Sequence, residues 1–175
     1  RMILLREVGR GDVEALVRFS KTPGLFNLPE DAEKATQIIQ KSMDSFSGKL
    51  KNKRQKKFIF VAEDLSKKKI IATSMIAPQH GTPESPHFYF QVGSEKLYSS
   101  SINTGFIHGT LKLCSVIDGP SEIGGLVVDP EARQADEKVG RQISFVRFQF
   151  AALNRKIFKN RILAELLPPL NRKGQ

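Results

Sequence analysis

Hydrophobic and polar positions change period several times along the chain, and each change marks an element. Met2 to Val8 reads as a first strand, and Gly9-Arg10-Gly11-Asp12 turns it into a helix over Val13 to Ser20. Asp12 stands at the cap position of that helix, with Ala15, Leu16 and Phe19 on its apolar side. After the loop Lys21-Thr22-Pro23-Gly24, a second helix opens near Pro29-Glu30-Asp31, where proline and acids suit a helix start. Ala32, Ala35, Ile38, Ile39, Met43 and Phe46 then recur at helical spacing until Gly48. From Lys57 the period shortens. Lys57 to Asp64 and Lys69 to Ala77 form a predicted hairpin around Leu65-Ser66-Lys67-Lys68. Past a proline- and glycine-marked loop, His87 to Tyr98 and Gly105 to Ile117 read as strands, and Asp118-Gly119-Pro120 leads into a strand over Ser121 to Asp129. A charged loop follows. Val139 to Phe158 is then the longest helical pattern, with Val139, Ile143, Val146, Phe150 and Leu153 as its stripe, and Arg161 to Leu167 is a last strand ahead of Pro168-Pro169.

This order predicts an α+β fold with a mixed, mostly antiparallel sheet flanked by helices. Its closing strand–loop–helix–strand predicts a parallel βαβ unit near the C-terminus, with a ligand site at the carboxyl end of the strands. No repeat or low-complexity linker interrupts the pattern, so residues 1–175 are expected to form a single domain. No apolar run is long enough to span a bilayer, and the first residues are too short for a signal-peptide core. Cys114 is alone, which excludes an internal disulfide and a cysteine metal site and points to a reducing, cytoplasmic compartment. The net charge of +10 suits a polyanionic ligand, a nucleic acid or an anionic surface. Much of it sits in Lys49 to Lys57 and Lys67 to Lys69, at the two ends of Phe58-Ile59-Phe60-Val61, which reads as solvated strand edges. With no zinc-knuckle spacing and no aromatic ribonucleoprotein motif, neither nucleic acid nor membrane is an expected partner.

Chemistry concentrates in Ser121 to Gln134, a strand ending in Asp129-Pro130-Glu131, and in the basic loop that enters a helix at Gly140-Arg141. Unpaired N–H groups and the positive end of a helix dipole make such an entry fit for a pyrophosphate. Glycine lets the backbone come close, and Arg133, Lys138 and Arg141 can add charge-assisted contacts.

This segment resembles the acyl-CoA-binding motif of the GNAT acyltransferase superfamily, and several patches together resemble the arginine N-succinyltransferase family. They are Gly24-Leu25-Phe26-Asn27-Leu28-Pro29-Glu30-Asp31, Phe88-Tyr89-Phe90-Gln91-Val92-Gly93, Ser121-Glu122-Ile123 with Asp129-Pro130-Glu131-Ala132-Arg133, and Gly140-Arg141-Gln142-Ile143-Ser144. The resemblance covers nearly the whole chain and corresponds to the first half of that family's proteins. It implies a GNAT-like fold and transfer of succinyl from succinyl-CoA to the α-amine of arginine. Acyl-CoA is then a co-substrate, with no bound metal and no permanent cofactor. It also implies backbone contacts from Leu126, Val127 and Val128 to the pantetheine arm, and contacts from Arg133, Gln134, Lys138, Gly140 and Arg141 to the phosphates. Glu122 is the candidate general base, with His80 and His108 as alternatives. The sequence departs from the superfamily in its loop. Ala135-Asp136-Glu137 is about two residues longer than in close relatives, and Lys138 stands where the first glycine belongs. A second half of the same protein, or another copy of this chain, is the expected protein partner, docking near the apolar end Leu166 to Leu170. The competing reading is a non-catalytic GNAT-like module that binds a ligand or a partner.

Overall fold

The computed structural model describes residues 2–22, 28–134 and 136–166. Within the expected loop at Lys21 to Gly24, Pro23 and Gly24 lie outside that description, as do Leu25 to Asn27, Ala135 and the end from Leu167 onward. The chain forms two compact units, one built from residues up to Gln79 and from Pro120 on, the other from His80–Gly119.

In the larger unit β1 (Ile3–Glu7) precedes α1 (Val13–Ser20) and α2 (Ala32–Phe46). Then come β2 (Phe58–Asp64) and β3 (Lys69–Ala77). In the smaller unit β4 (His87–Ser99) and β5 (Thr104–Val116) make one ribbon. The chain then adds β6 (Ser121–Val128), the single turn α3 (Pro130–Arg133), α4 (Val139–Leu153) and β7 (Ile162–Ala164) to the larger unit. Its sheet runs β1-β2-β3-β6-β7, antiparallel except for the parallel β6–β7 edge, as the closing βαβ pattern predicts.

Alternation in β2 and β3 feeds two cores, one on each face of this sheet. Phe58, Phe60, Ala62 and Ile76 meet Val139 and Ile143 of α4, while Ile59, Val61 and Met75 meet Leu16 and Phe19 of α1 and Ile39 of α2. A strand buried on both faces has no polar positions to spare, which is why Phe58 to Ala62 is a continuous apolar run. The α2 helix starts at Asp31, whose carboxylate accepts from the Lys34 N–H at 2.7 Å, and closes at Gly48 with φ of 75°.

Three expectations are corrected. The last helix ends at Leu153, not Phe158, because Asn154 turns its side-chain and backbone N–H groups onto the Phe150 carbonyl and caps it. Its buried stripe is Val139, Ile143, Arg147 and Ala151; Leu153 is 86% exposed. A stripe that advances by four-residue steps drifts away from position 153. The final strand, expected over Arg161 to Leu167, covers Ile162–Ala164 among the described residues, with Arg161, Glu165 and Leu166 outside it. Lys57 also leaves the set of solvated strand-edge lysines. Its N–H donates to Ser45 Oγ at 3.0 Å, and the residue is half-buried rather than solvated.

Candidate functional site

Strands β6 and β7 pair only from Ser121↔Ile162 to Ile123↔Ala164. Beyond that point β6 runs on through Val128 with β3 as its one strand neighbour among the described residues. The backbone of residues 124–128 therefore continues past the last β7 pair, toward the carboxyl ends of the two parallel strands. Its course there has a local cause. Between Gly124↔Met75 and Val127↔Thr73, β6 carries one residue more than β3, a bulge that increases twist and bends the strand away. Gly125 sits in that bulge with φ of 56°, and a Cβ there would lie 3.2 Å from Met75 Cγ. Both observations require glycine.

The start of Ser121–Val128 is held by a buried hydroxyl. Ser121 Oγ donates to the Pro78 carbonyl at 2.7 Å and accepts from the Lys159 N–H at 2.8 Å, tying β3, β6 and the approach to β7 to one atom. At the other end, the N-terminus of α4 lies against Val128. Gly140 allows this, since a Cβ on it would stand 3.3 Å from Val128 Cγ2. Lys138 takes the N-cap position in a left-handed conformation, φ 48° and ψ 48°, and no side chain caps the helix among the described residues. The Arg141 N–H donates to the Lys138 carbonyl at 2.9 Å, and the Val139 and Gly140 N–H groups have no acceptor among the described residues, which leaves them to an incoming one.

Around this end the charges are ordered. Arg133 folds back so that Nε donates to the Val128 carbonyl at 3.0 Å. A cleft of about 360 Å³ runs beside it, lined by Arg18, Lys21, Val127, Val128 and Arg133. Asp129 caps α3 and pairs with Lys69 at 3.0 Å. Burial works to raise the Asp129 carboxyl, but the Lys69 and Glu131 N–H hydrogen bonds and the charges of Lys69 and Arg18 outweigh it, holding the group below the usual carboxylate range. Arg141 lies over the Phe145 ring, 5.7 Å from its centre, and is exposed.

The structure brings Leu126, Val127, Val128, Arg133, Gln134, Lys138, Gly140 and Arg141 to one end of β6, on β6 itself and the α3–α4 connection. Glu122 lies at the other end of the strand, about 20 Å from Val128 along it. It is half-buried, and its charge acts on Lys57. Burial drives the Lys57 ammonium below the usual lysine range; Glu122 opposes that shift and Lys41 adds to it. His80 and His108 belong to the smaller unit, where His80 stacks edge-on against His87 and His108 faces Glu95 across the ribbon. Sequence reasoning missed Lys57 and Gly125. Nothing in a lysine cluster singles out its last member, but a Gly-Gly pair inside a strand pattern is itself a bulge signal.

An antiparallel sheet with one parallel βαβ edge and a glycine bulge in the strand before that edge defines a class, the GNAT-like fold. Among solved structures, the arginine/ornithine succinyltransferase subunit AI from Pseudomonas aeruginosa matches 99% of this chain and 52% of its own, with a TM-score of 0.86 at 22% identity. Glucosamine-6-phosphate N-acetyltransferase from Arabidopsis thaliana matches 95% of this chain and 84% of its own, with a TM-score of 0.50 at 12% identity. The family described as AstA, arginine N-succinyltransferase beta subunit, matches residues 3–175. The chain belongs to that family. Arginine N-succinyltransferases from Photorhabdus laumondii (32% identical over 169 residues) and Yersinia enterocolitica (30% over 167 residues) are similar to 94% of it. The chain spans about half the length of these curated relatives, 47–48%.

Proposed function

We propose that this chain forms the acyl-CoA-binding lobe of an N-acyltransferase that moves succinyl from succinyl-CoA to the α-amine of arginine. The observation that carries the reading is the β6 backbone that continues past its last β7 pair, with the uncapped α4 N-terminus against its carboxyl end and Glu122 near its start. Pyrophosphate at Gly140 and Arg141, with Arg133 and Lys138 beside it, places the pantetheine arm along Leu126 to Val128 as an added strand. The thioester then reaches the start of β6. There the neutral amine attacks the thioester carbonyl, forming the C–N bond and an oxyanion that backbone N–H groups can stabilise. The amine's proton passes to Glu122 directly or through water. Collapse of the intermediate breaks the C–S bond, and the leaving CoA thiolate takes up a proton. Lys57 sets the charge of the Glu122 neighbourhood and is the nearest candidate to exchange protons with it.

The test has two parts. Calorimetric titration of succinyl-CoA should show binding that weakens with added salt and is lost in Arg141→Ala combined with Arg133→Ala, since exposed phosphate contacts are screened. Thiol release from succinyl-CoA with arginine, followed on the full-length protein, should fall by about 10²-fold or more in Glu122→Gln with acyl-CoA affinity unchanged. Absence of binding at low salt overturns the site. Binding without any thiol release from the full-length protein would leave the non-catalytic module as the correct reading, which Lys138 in the glycine position favours.

A further inference from the structure

The ribbon formed by His87–Ser99 and Thr104–Val116 is paired along its whole length, from His87↔Val116 to Ser99↔Thr104. Cross-strand partners share a face, so the register sorts its side chains into two sets. One face holds Phe88, Phe90, Leu113, Val92, Leu111, Ile107 and Tyr98, each 60–79% exposed. The other mixes Tyr89, Leu97 and Phe106 with Gln91, Lys112, Thr110, Glu95 and His108, which break it into small patches. A two-stranded ribbon is marginal in water unless a face is covered.

We propose that the apolar face of the β4–β5 ribbon is a self-association surface, on which the same face of a second copy of this chain lies antiparallel about a twofold axis. Three observations select a second copy. The first is shape. At the middle of the face a bulky pair, Val92 facing Leu111, adjoins a small one, Ser94 facing Gly109. With the twofold passing between these pairs, Val92 and Leu111 of each copy cover the other's Ser94 and Gly109. Leu113 then meets Ile107, Phe88 meets Tyr98, and Phe90 meets Lys96 in a cation–π contact. The second is area. The exposed apolar side chains of this face amount to roughly 900 Å² per copy, against about 800 Å² per partner in a standard-size interface. The third is charge. Residues 80–119 hold two lysines, no arginine and three acids, net −1 in a chain of net +10, so the remaining residues carry +11. Two strongly basic copies can approach with least repulsion through this ribbon.

Sedimentation velocity on the complete protein tests the surface, over about 1 to 100 µM. The wild type should be a dimer within that range. Leu111→Glu, which would bury an unpaired carboxylate twice in a twofold interface, should raise the dimer Kd by about 100-fold or more. Gln91→Glu on the opposite face should leave it within about twofold. Gly109→Leu separates fitted docking from mere stickiness. A Cβ at Gly109 meets nothing within 4 Å, so the ribbon tolerates the change, yet it fills the space that Val92 and Leu111 require. The proposal expects weaker dimerisation by about tenfold or more in this variant. A monomeric wild type at all concentrations overturns the idea, including one whose ribbon amides are protected from exchange by another part of the protein. So does a dimer that ignores Leu111→Glu, one that Gln91→Glu dissociates equally, or one that Gly109→Leu tightens.

Discussion

Replacing Lys138 by glycine should stabilise the folded protein, although it deletes a charged side chain at the candidate phosphate site. Lys138 occupies the left-handed region at φ 48°, ψ 48° as the cap of α4. A side chain bearing a Cβ is disfavoured there by roughly 1–2 kcal/mol, a cost glycine escapes. Against this, glycine loses more backbone freedom on folding, about 0.5–1 kcal/mol. The Lys138 side chain is exposed and makes no cap hydrogen bond, so its removal costs little else. The balance is a gain of about 0.5–1 kcal/mol, a rise in Tm of roughly 1–4 °C at this chain length. Lys138→Ala keeps the Cβ and gives no such gain, and Lys138→Val, with a branched Cβ, should be worse than wild type. Urea and thermal unfolding of the three variants measure the order Gly, then wild type and Ala together, then Val. A glycine variant less stable than wild type, or an alanine variant that gains as much, refutes the strain argument. Acyl-CoA titration of the same proteins gives the second readout: weaker binding in both the glycine and alanine variants assigns the ammonium to the phosphates, whereas tighter binding in glycine alone means the side chain obstructs them.

Ser121→Ala should destabilise by about 1–3 kcal/mol in urea unfolding, since it strands the buried Pro78 carbonyl and the Lys159 N–H; a loss below about 0.3 kcal/mol would show that water replaces the hydroxyl. Gly125→Ala forces a Cβ into a left-handed residue against Met75, so about 1–2 kcal/mol should be lost, with acyl-CoA affinity falling as the bulge shifts; unchanged affinity would detach the bulge from ligand binding. The Asp129 carboxyl is held below its ordinary value, so its contribution is complete above the unfolded carboxylate pKa near 4 and is lost as pH falls through the lowered folded value. Asp129→Asn should therefore cost about 1 kcal/mol at pH 7 and progressively less below about pH 4, and a gap that does not narrow on acidification counts against the Lys69 pairing.

Much of this arrangement was legible before any coordinates. The strand-like runs of β2 and β3, the helix start near Pro29-Glu30-Asp31 and the strand–loop–helix–strand ending all rest on local chemistry, and they led to the right architecture. The limits were also physical. Helix α4 has apolar residues past its true end, and periodicity could not see that Asn154 would spend its side chain on the Phe150 carbonyl. Arg147 enters the buried stripe, at 3% exposed, while its Nε and Nη2 are satisfied within the helix by Ser144. A composition rule places arginine outside, and only this local pairing lets it in. Lys57 escaped for the opposite reason: it is one lysine among many in sequence, and its burial depends on α2 lying over the start of β2.

The distribution of acids explains how a strongly basic chain can aim its charge at one place. Three of the larger unit's acids are committed to structural pairs: Asp12 to Arg6 at 2.7 Å, Glu63 to Arg6 at 2.9 Å, and Asp129 to Lys69 at 3.0 Å. Those pairs sit where a strand must be joined to a turn or a helix, so they are fixed by the fold. Arg133, Lys138 and Arg141 have no carboxylate partner among the described residues. Their charge adds to that of the α4 N-terminus instead of being cancelled, and it does so beside the carboxyl end of β6. Near the start of the same strand stands Glu122, half-buried, whose charge acts on Lys57. Under the proposed function, a polyanionic ligand laid along β6 is drawn phosphate-first to the basic end, and its reactive end arrives where a carboxylate can take a proton. On that reading a cationic amine substrate has reason to approach from the Glu122 side, away from the phosphate-binding charges.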